Sequence, residues 1–264
     1  MSTDIIDYQI LGDDMQAVII TLDPGEAVVA EAGAMMYLDP DVEMATHLSM
    51  KAGGTGGGSV FGKLFEAGKR VVTGESFFIT YFANHGSVRR DCAFAAPYPG
   101  HVIPVELADH KGELICQKDS FLAAARGVEI GIAFQKKLGV GLFGGEGFIL
   151  QRLTSPTGNG QAFLHAGGTT IKRELAPGET LRVDTGCLVA FEKSVSYDIQ
   201  WVKGIKNKLF GGEGLFYAAM TGPGTVWIQT LPFSRLADRI IVASHTQKGE
   251  GSVLGGVFKM IDGQ

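Results

Sequence analysis

LAPGETLRVDTGCLVAF, Leu175 to Phe191, reads as a Gly-Glu turn followed by an alternating strand, and the chain writes this module three times. LDPGEAVVAEAGAMMY (Leu22 to Tyr37) and KGELICQKDSFLAAA (Lys111 to Ala125) carry the same pattern. Each copy is followed by a second block of one kind: TGESFFITYF from Thr73, GGEGFILQRL from Gly144 and GGEGLFYAAM from Gly211. The first blocks open at Glu26, Glu113 and Glu179 and the second at Glu75, Glu146 and Glu213, at separations of 49, 33 and 34 residues. The first copy therefore carries an insertion of about 15 residues, placed at Lys51 to Val71, where glycines permit tight turns but supply no core side chain. A loop over Gly53 to Ser59 and a short helix over Val60 to Lys69 are predicted there.

Each second block runs into a turn (Ala83 to Gly86, Ser155 to Gly158, Thr221 to Gly224) and then a further apolar strand (Val88 to Pro97, Gly160 to Gly168, Thr225 to Phe233). Glycine accounts for 38 of the 264 residues without a Gly-X-Y period, so it marks corners between strands. In Leu181-Arg182-Val183-Asp184 apolar and charged residues point opposite ways, as in a sheet with one wet face. Such sheets must close face to face or curl into a barrel to hide their apolar sides. The expected fold class is all-β: three internally repeated subdomains around a pseudo-threefold axis, spanning residues 1–100 (with the insertion 51–71), 101–169 and 170–264, packed as one unit. Pro232 to His245 fits a helix or a final strand, with Leu236, Ile240 and Ile241 at helical spacing.

The formal charge is -5, and only 19% of residues are charged, which is low for a soluble surface and points to some surface being covered. Net acidity opposes non-specific nucleic-acid binding, which needs Lys and Arg to neutralise phosphates, so no nucleic acid is expected as a partner. Cys92, Cys116 and Cys187 are odd in number and far apart, and they read as buried thiols of a reducing compartment. MSTDIIDYQI has no basic segment before an apolar run, and no stretch reaches the roughly 20 apolar residues of a spanning helix. The expected location is the cytoplasm, free or peripheral to the inner membrane.

The strongest candidate surface is a set of basic and apolar residues before each second block: Lys63, Phe65, Lys69 and Arg70; Lys136, Lys137, Leu142 and Phe143; Lys206, Lys208, Leu209 and Phe210. Phe258 in the tail repeats the flavour. On three equivalent units these would form one rim, set against a bland reading of inward apolars with wetted lysines. The rim would meet another subunit, another protein or an anionic membrane face. Gly57 to Lys63 has the G-x4-G-K spacing of a phosphate loop, but Leu64 stands where Ser or Thr would hold magnesium. The recurrent glutamates read as turn residues accepting backbone N–H bonds. His101, Glu106, Asp109 and His110 are the densest ionisable group, in a stretch that Pro99, Gly100 and Pro104 mark as an irregular link. No nucleophile elbow or H-E-x-x-H is present, so no catalytic, cofactor or metal residues are assigned.

AEAGAMMY (Ala30 to Tyr37), GGTGGGSVFGKLFEAGKR (Gly53 to Arg70), TGESFFITYF and LFGGEGFILQRLTSPTGNGQAFLHAGG (Leu142 to Gly168) occur in order. Together they resemble the bacterial relatives of the mitochondrial biogenesis protein family AIM24. The resemblance implies a fold like that of the tryptophan RNA-binding attenuator protein, with each subdomain a short double-stranded β-helix, and self-association into a trimer or larger ring. It supplies no catalytic residues. The expected function is a non-catalytic self-associating scaffold or assembly protein. The alternatives are a small-molecule or carbohydrate binding module or cupin-like enzyme, with a pocket near Arg152, and a peripheral membrane-associated protein.

Overall fold

The computed structural model describes residues 3–48, 78–136, 148–201, 216–241 and 243. Its strands fall into three series. The first is β2 (Ala17–Leu22), β3 (Ala27–Ala30), β4 (Met35–Leu38), β5 (Val42–Leu48), β6 (Phe78–Asn84) and β7 (Arg90–Ala95). The second is β8 (Gly100–Glu106), β9 (Glu113–Gln117), β10 (Phe121–Ala125), β11 (Glu129–Lys136), β12 (Phe148–Thr154) and β13 (Gln161–Gly167). The third is β14 (Thr170–Leu175), β15 (Thr180–Asp184), β16 (Leu188–Glu192), β17 (Ser196–Trp201), β18 (Phe216–Thr221) and β19 (Gly224–Gln229). An additional strand, β1 (Asp7–Leu11), lies antiparallel on β2.

Every series pairs in the same way. One half-sheet is β2-β7-β4, β8-β13-β10 or β14-β19-β16, and the other is β5-β6-β3, β11-β12-β9 or β17-β18-β15. The structure is thus an all-β array of repeated antiparallel half-sheets, as the tripled sequence requires.

The first blocks are not single strands, contrary to the expectation from their alternation. Each is cut by one 3-10 turn, at Ala32–Ala34, Lys118–Ser120 and Thr185–Cys187. In the second and third copies the cause is local: the Gln117 side chain accepts from the Asp119 N–H at 2.6 Å, and the Asp184 carboxylate from the Gly186 N–H at 2.8 Å. A side chain two residues back replaces a ladder partner, so the strand stops and the chain crosses into the other half-sheet. All three copies then bulge at the same place, between Met35 and Tyr37, Phe121 and Ala123, and Leu188 and Ala190.

These registers fix which residues correspond. Tyr37, Ala123 and Ala190 are equivalent, as are Ala30, Cys116 and Val183, and Ala93, Phe163 and Trp227. Glu113 falls one residue late. It matches Ala27 and Thr180, at the starts of β3 and β15, and not Glu26 and Glu179. The stretch around Pro99 to His110 is also not an irregular link, because residues 100–106 form β8. Val102 and Val105 are buried and His101 and Glu106 are not, while Pro104 is tolerated because β8 is an edge strand whose outward N–H needs no partner. The insertion 51–71 lies outside the described residues. The tail beyond β19 is helical over residues 233–241, which decides between its two readings, and Arg235 ties it to Asp184 at 3.0 Å.

In the first and third units the two half-sheets face each other over aromatic side chains: Phe82 and Phe94 meet edge to face at 5.0 Å and are fully buried, and Phe191 meets Tyr197 at 5.1 Å. Backbones approach closely where the third unit leaves β19. Gly167 accepts from the Leu231 N–H at 3.0 Å and donates to the Gln229 carboxamide at 2.7 Å, and a Cβ at Gly167 would stand 2.0 Å from the Leu231 carbonyl oxygen. A backbone oxygen cannot swing aside as a side chain can. Gly167→Ala is therefore expected to destabilise the fold by about 2 kcal/mol through overpacking, read as a lowered urea midpoint at unchanged m-value.

Candidate functional site

The units join through main-chain edges. β3 of the first unit pairs with β10 of the second, with Ala30 opposite Ala123 and Val29 opposite Ala124. β9 of the second unit pairs with β16 of the third in the same register, Cys116 opposite Ala190 and Ile115 opposite Phe191. Each join merges two half-sheets into a six-stranded sheet. The series leaves one strand of each kind over: β4, at the edge of a four-stranded sheet with β1, β2 and β7, and β15, at the edge of a three-stranded sheet with β18 and β17. The contact that would close the array, β15 against β4, is not made within the chain.

The consequence is visible in exposure. Leu122 and Val189 are 2% and 0% exposed at the two joins, while the equivalent Met36 is 56% exposed. Ala123 and Ala190 are fully buried, and the equivalent Tyr37 is 41% exposed. On β15, Thr180 and Arg182 are exposed, and Arg182 stacks its guanidinium on Tyr217 at 5.4 Å. Among the described residues, then, β4 presents an apolar edge with no strand partner and β15 a second such edge.

A cleft of about 500 Å³ lies at the seam between the second and third units. β8, the turn after it, β14, β16 and β19 line it, and it contains Trp227 with Asp109, His110, Lys172, Glu174 and Glu192. The His110 imidazole holds the Glu192 carboxylate at 3.0 Å through Nδ1, and the other Glu192 oxygen accepts from the Thr225 N–H at 3.2 Å. Of the four ionisable residues singled out in sequence, Asp109 and His110 reach this cleft, while His101 turns to the Gly168 carbonyl at 2.6 Å and Glu106 to Gln161 at 3.0 Å. Among the described residues no group of three or more His, Cys, Asp or Glu is placed to hold a metal ion.

The recurrent glutamates divide. Glu26 accepts from the Asp23 N–H at 2.8 Å and Glu179 from the Ala176 N–H at 2.9 Å, satisfying their turns as expected. Glu113, displaced in register, instead pairs with Arg152 at 3.1 Å and Lys193 at 2.7 Å. Arg152 is thereby tied to a structural ion pair and does not line the cleft, so the pocket is not where the divergence among Tyr81, Arg152 and Ala219 pointed. Cys92 and Cys116 are buried, and burial pushes both thiols up to about 12, leaving them inert; Cys187 is half-buried and also raised, first by burial. Of the predicted rim, Lys136 is the last residue of β11. Lys63, Phe65, Lys69, Arg70, Lys137, Leu142, Phe143, Lys206, Lys208, Leu209, Phe210 and Phe258 lie outside the described residues.

His165 is one of four histidines scattered through the sequence, with His47, His85 and His245. His165 on β13 is buried against the Tyr98 ring at 4.6 Å, and its Nδ1 has no hydrogen-bond partner among the described residues. Burial first, and His101 second, lower its pKa to about 4, against an ordinary 6.5. The unfolded chain thus binds a proton at His165 that the folded chain refuses between these values, so stability falls as pH drops from about 6.5 toward 4. Gln229 occupies the equivalent place in the third unit. His165→Gln is expected to flatten the loss of melting temperature between pH 7 and pH 4.5 relative to the unmodified chain, as measured by calorimetry.

The geometry has known counterparts. A crystal structure of a Streptococcus pyogenes protein superposes with a TM-score of 0.66, covering 90% of this chain and 99% of that one at 21% identity, which is a likeness of fold. An uncharacterized protein of Streptococcus pyogenes serotype M6 is 31% identical over 219 residues, 83% of this chain and 82% of its own length. The family described as mitochondrial biogenesis AIM24 matches residues 8–231, the whole repeat array from β1 to just past β19. With its tripled half-sheets, its ordered Gly-Glu blocks and this match across most of its length, the chain belongs to the AIM24 family.

Proposed function

We propose that this protein is a non-catalytic, self-associating scaffold whose copies join head to tail, β15 of one chain against β4 of the next. The observation behind this reading is the pair of leftover edges in a series whose other members are all joined. Continuing the internal register across chains sets Tyr37 opposite Val183 and Leu38 opposite Arg182, by the rule that pairs Ala123 with Ala30 and Ala190 with Cys116. The contact uses two different surfaces, so it propagates, and it stays finite only if the rotation closes into a ring. The closed assembly we propose is a trimer or larger ring; in the trimer, the threefold relation expected of the units belongs instead to the chains. Each unit is then a short double-stranded β-helix joined as in the tryptophan RNA-binding attenuator protein.

The energetics favour this outcome over a free edge. Exposed edge strands that stay monomeric are guarded by charge, proline or cover, and β4 offers Met35, Met36 and Tyr37 instead. Burying Met36 and Tyr37 to the extent of their equivalents is worth roughly 1.5–3 kcal/mol per large side chain, before ladder bonds are counted.

Size-exclusion chromatography with light scattering at micromolar concentration is expected to give a mass of at least three chains. Met36→Lys with Tyr37→Lys, on an exposed edge, should reduce it to one folded chain with an unchanged far-UV circular dichroism spectrum, melting below the assembly because association stabilises the folded state. A wild-type monomer, or an oligomer indifferent to both lysines, overturns the reading.

A further inference from the structure

Two seams separate the three units. They are built alike and filled differently. At the first, residues 3–8 of the chain run across the groove between the first and second units. The Asp4 N–H donates to the Arg126 carbonyl at 2.9 Å, and the Asp4 carboxylate takes the Arg126 guanidinium at 2.9 Å and the Ala27 N–H at 3.0 Å. The Ile6 N–H donates to the Gln161 carboxamide at 2.8 Å, and Ile6 itself is buried. Tyr8 stands edge-on to Phe163 at 4.8 Å and 75°.

The strand registers carry this groove onto the second seam residue by residue: Trp227 stands where Phe163 does, Thr225 for Gln161, Glu192 for Ala125 and Leu175 for Leu107. These four residues line the open cleft of about 500 Å³. Side chains of the second seam supply part of what the N-terminal segment supplies at the first. His110 stands edge-on to Trp227 at 5.4 Å and 83°, as Tyr8 does to Phe163, and Glu113 pairs with Lys193 as Asp4 pairs with Arg126. No described segment, however, supplies the backbone that residues 3–8 lay through the first groove.

We infer that the second seam is a docking cleft for a short extended peptide segment carrying basic side chains, supplied by another polypeptide. The extended shape follows from the occupant of the equivalent groove. The charge follows from the lining, which holds the carboxylates of Asp109, Glu174 and Glu192 against the single ammonium of Lys172. Glu192 is engaged by His110 and the Thr225 N–H, and Lys172 lies over Trp227 at 5.7 Å and 3.7 Å from Glu174. Asp109, exposed at the mouth, has no ionic partner among the described residues, which leaves a net attraction for cations. The acidic N-terminal segment of a second copy is the wrong sign, since it carries Asp4 and Asp7. Pro104 shapes the binding mode. It removes an N–H from the outer edge of β8 at the position where Ile19 of β2 faces Gln9 of β1, so the guest cannot complete a strand ladder there. It is held through its side chains and isolated backbone bonds, as residues 3–6 are at the first seam. The cleft lies within one chain and does not depend on self-association.

The probe is an N-acetylated peptide of residues 3–11 carrying Asp4→Lys and Asp7→Lys, titrated onto the full chain with Trp201→Phe so that emission reports Trp227. A saturable change is expected, weakened at least tenfold by Asp109→Lys with Glu174→Lys in the protein and at least tenfold for the unsubstituted acidic peptide. Hydrogen exchange on the unmodified chain, independent of any effect of Trp201→Phe on folding, should slow over residues 103–110 and 172–175. Absence of saturation at millimolar peptide, equal affinity for both peptides, or protection confined to other residues overturns the inference.

Discussion

Main-chain pairing at the edges of the half-sheets is the constraint from which this architecture follows. A three-stranded half-sheet has two edges, and a buried N–H or C=O without a partner costs about 1–3 kcal/mol, so each inner edge must meet another strand. The joins β3 to β10 and β9 to β16 meet that need, and the cores form around them. The apolar cluster of the first unit includes Leu122, Ala123 and Phe163 of the second, and that of the second includes Val29 of the first and Ala190 and Trp227 of the third. No unit closes its core alone. Stability in such an array comes from neighbours as much as from the repeat itself.

The same constraint explains the small residues at the joins. Ala30, Ala123, Ala124, Cys116 and Ala190 sit where two half-sheets merge, and all are fully buried. At the two ends, where no described strand is a neighbour, the equivalents Tyr37 and Val183 are larger. Some of the differences between copies thus fall where the array stops and at its seams. Pro104, His110 and Glu192 differ from their counterparts Ile19, Asp23 or Pro24, and Ala125 because the second seam is lined differently from the first, which the N-terminal segment fills. The copies share a fold; what distinguishes them chemically lies in the few residues where they cease to be copies.

Several features were legible in the residues. Alternation after the Gly-Glu turns, the tripled second blocks and the turns at 83–86, 155–158 and 221–224 mark strands that the structure contains, since a period of two and a glycine corner are local consequences of backbone sterics. The roles of Glu26 and Glu179 were also local, each carboxylate reaching an N–H three residues back. Glu113 departs from this because the turn before β9 differs in length, with Lys111 in the left-handed region at φ 57°, so that Gly112 takes the turn position that Glu26 and Glu179 hold. β8 was missed because Pro104 reads as a strand breaker unless the strand is known to lie at an edge. The crossing between half-sheets was missed because E-A-G-A, Q-K-D-S and D-T-G-C carry only a weak turn signal inside an apolar run.

By itself, the sequence determined that this protein is an all-β array of three like units, because hydrophobic period and turn chemistry act over a few residues and repeat wherever the residues repeat. Only the tertiary structure decided which edges are paired and which are left open, and that one seam is filled by residues 3–8 while its equivalent is a cleft. Those outcomes depend on contacts such as Cys116 with Ala190 and Ile6 with Gln161, 74 and 155 positions apart, whose partners are chosen by the packing of whole sheets and leave no mark at either position alone.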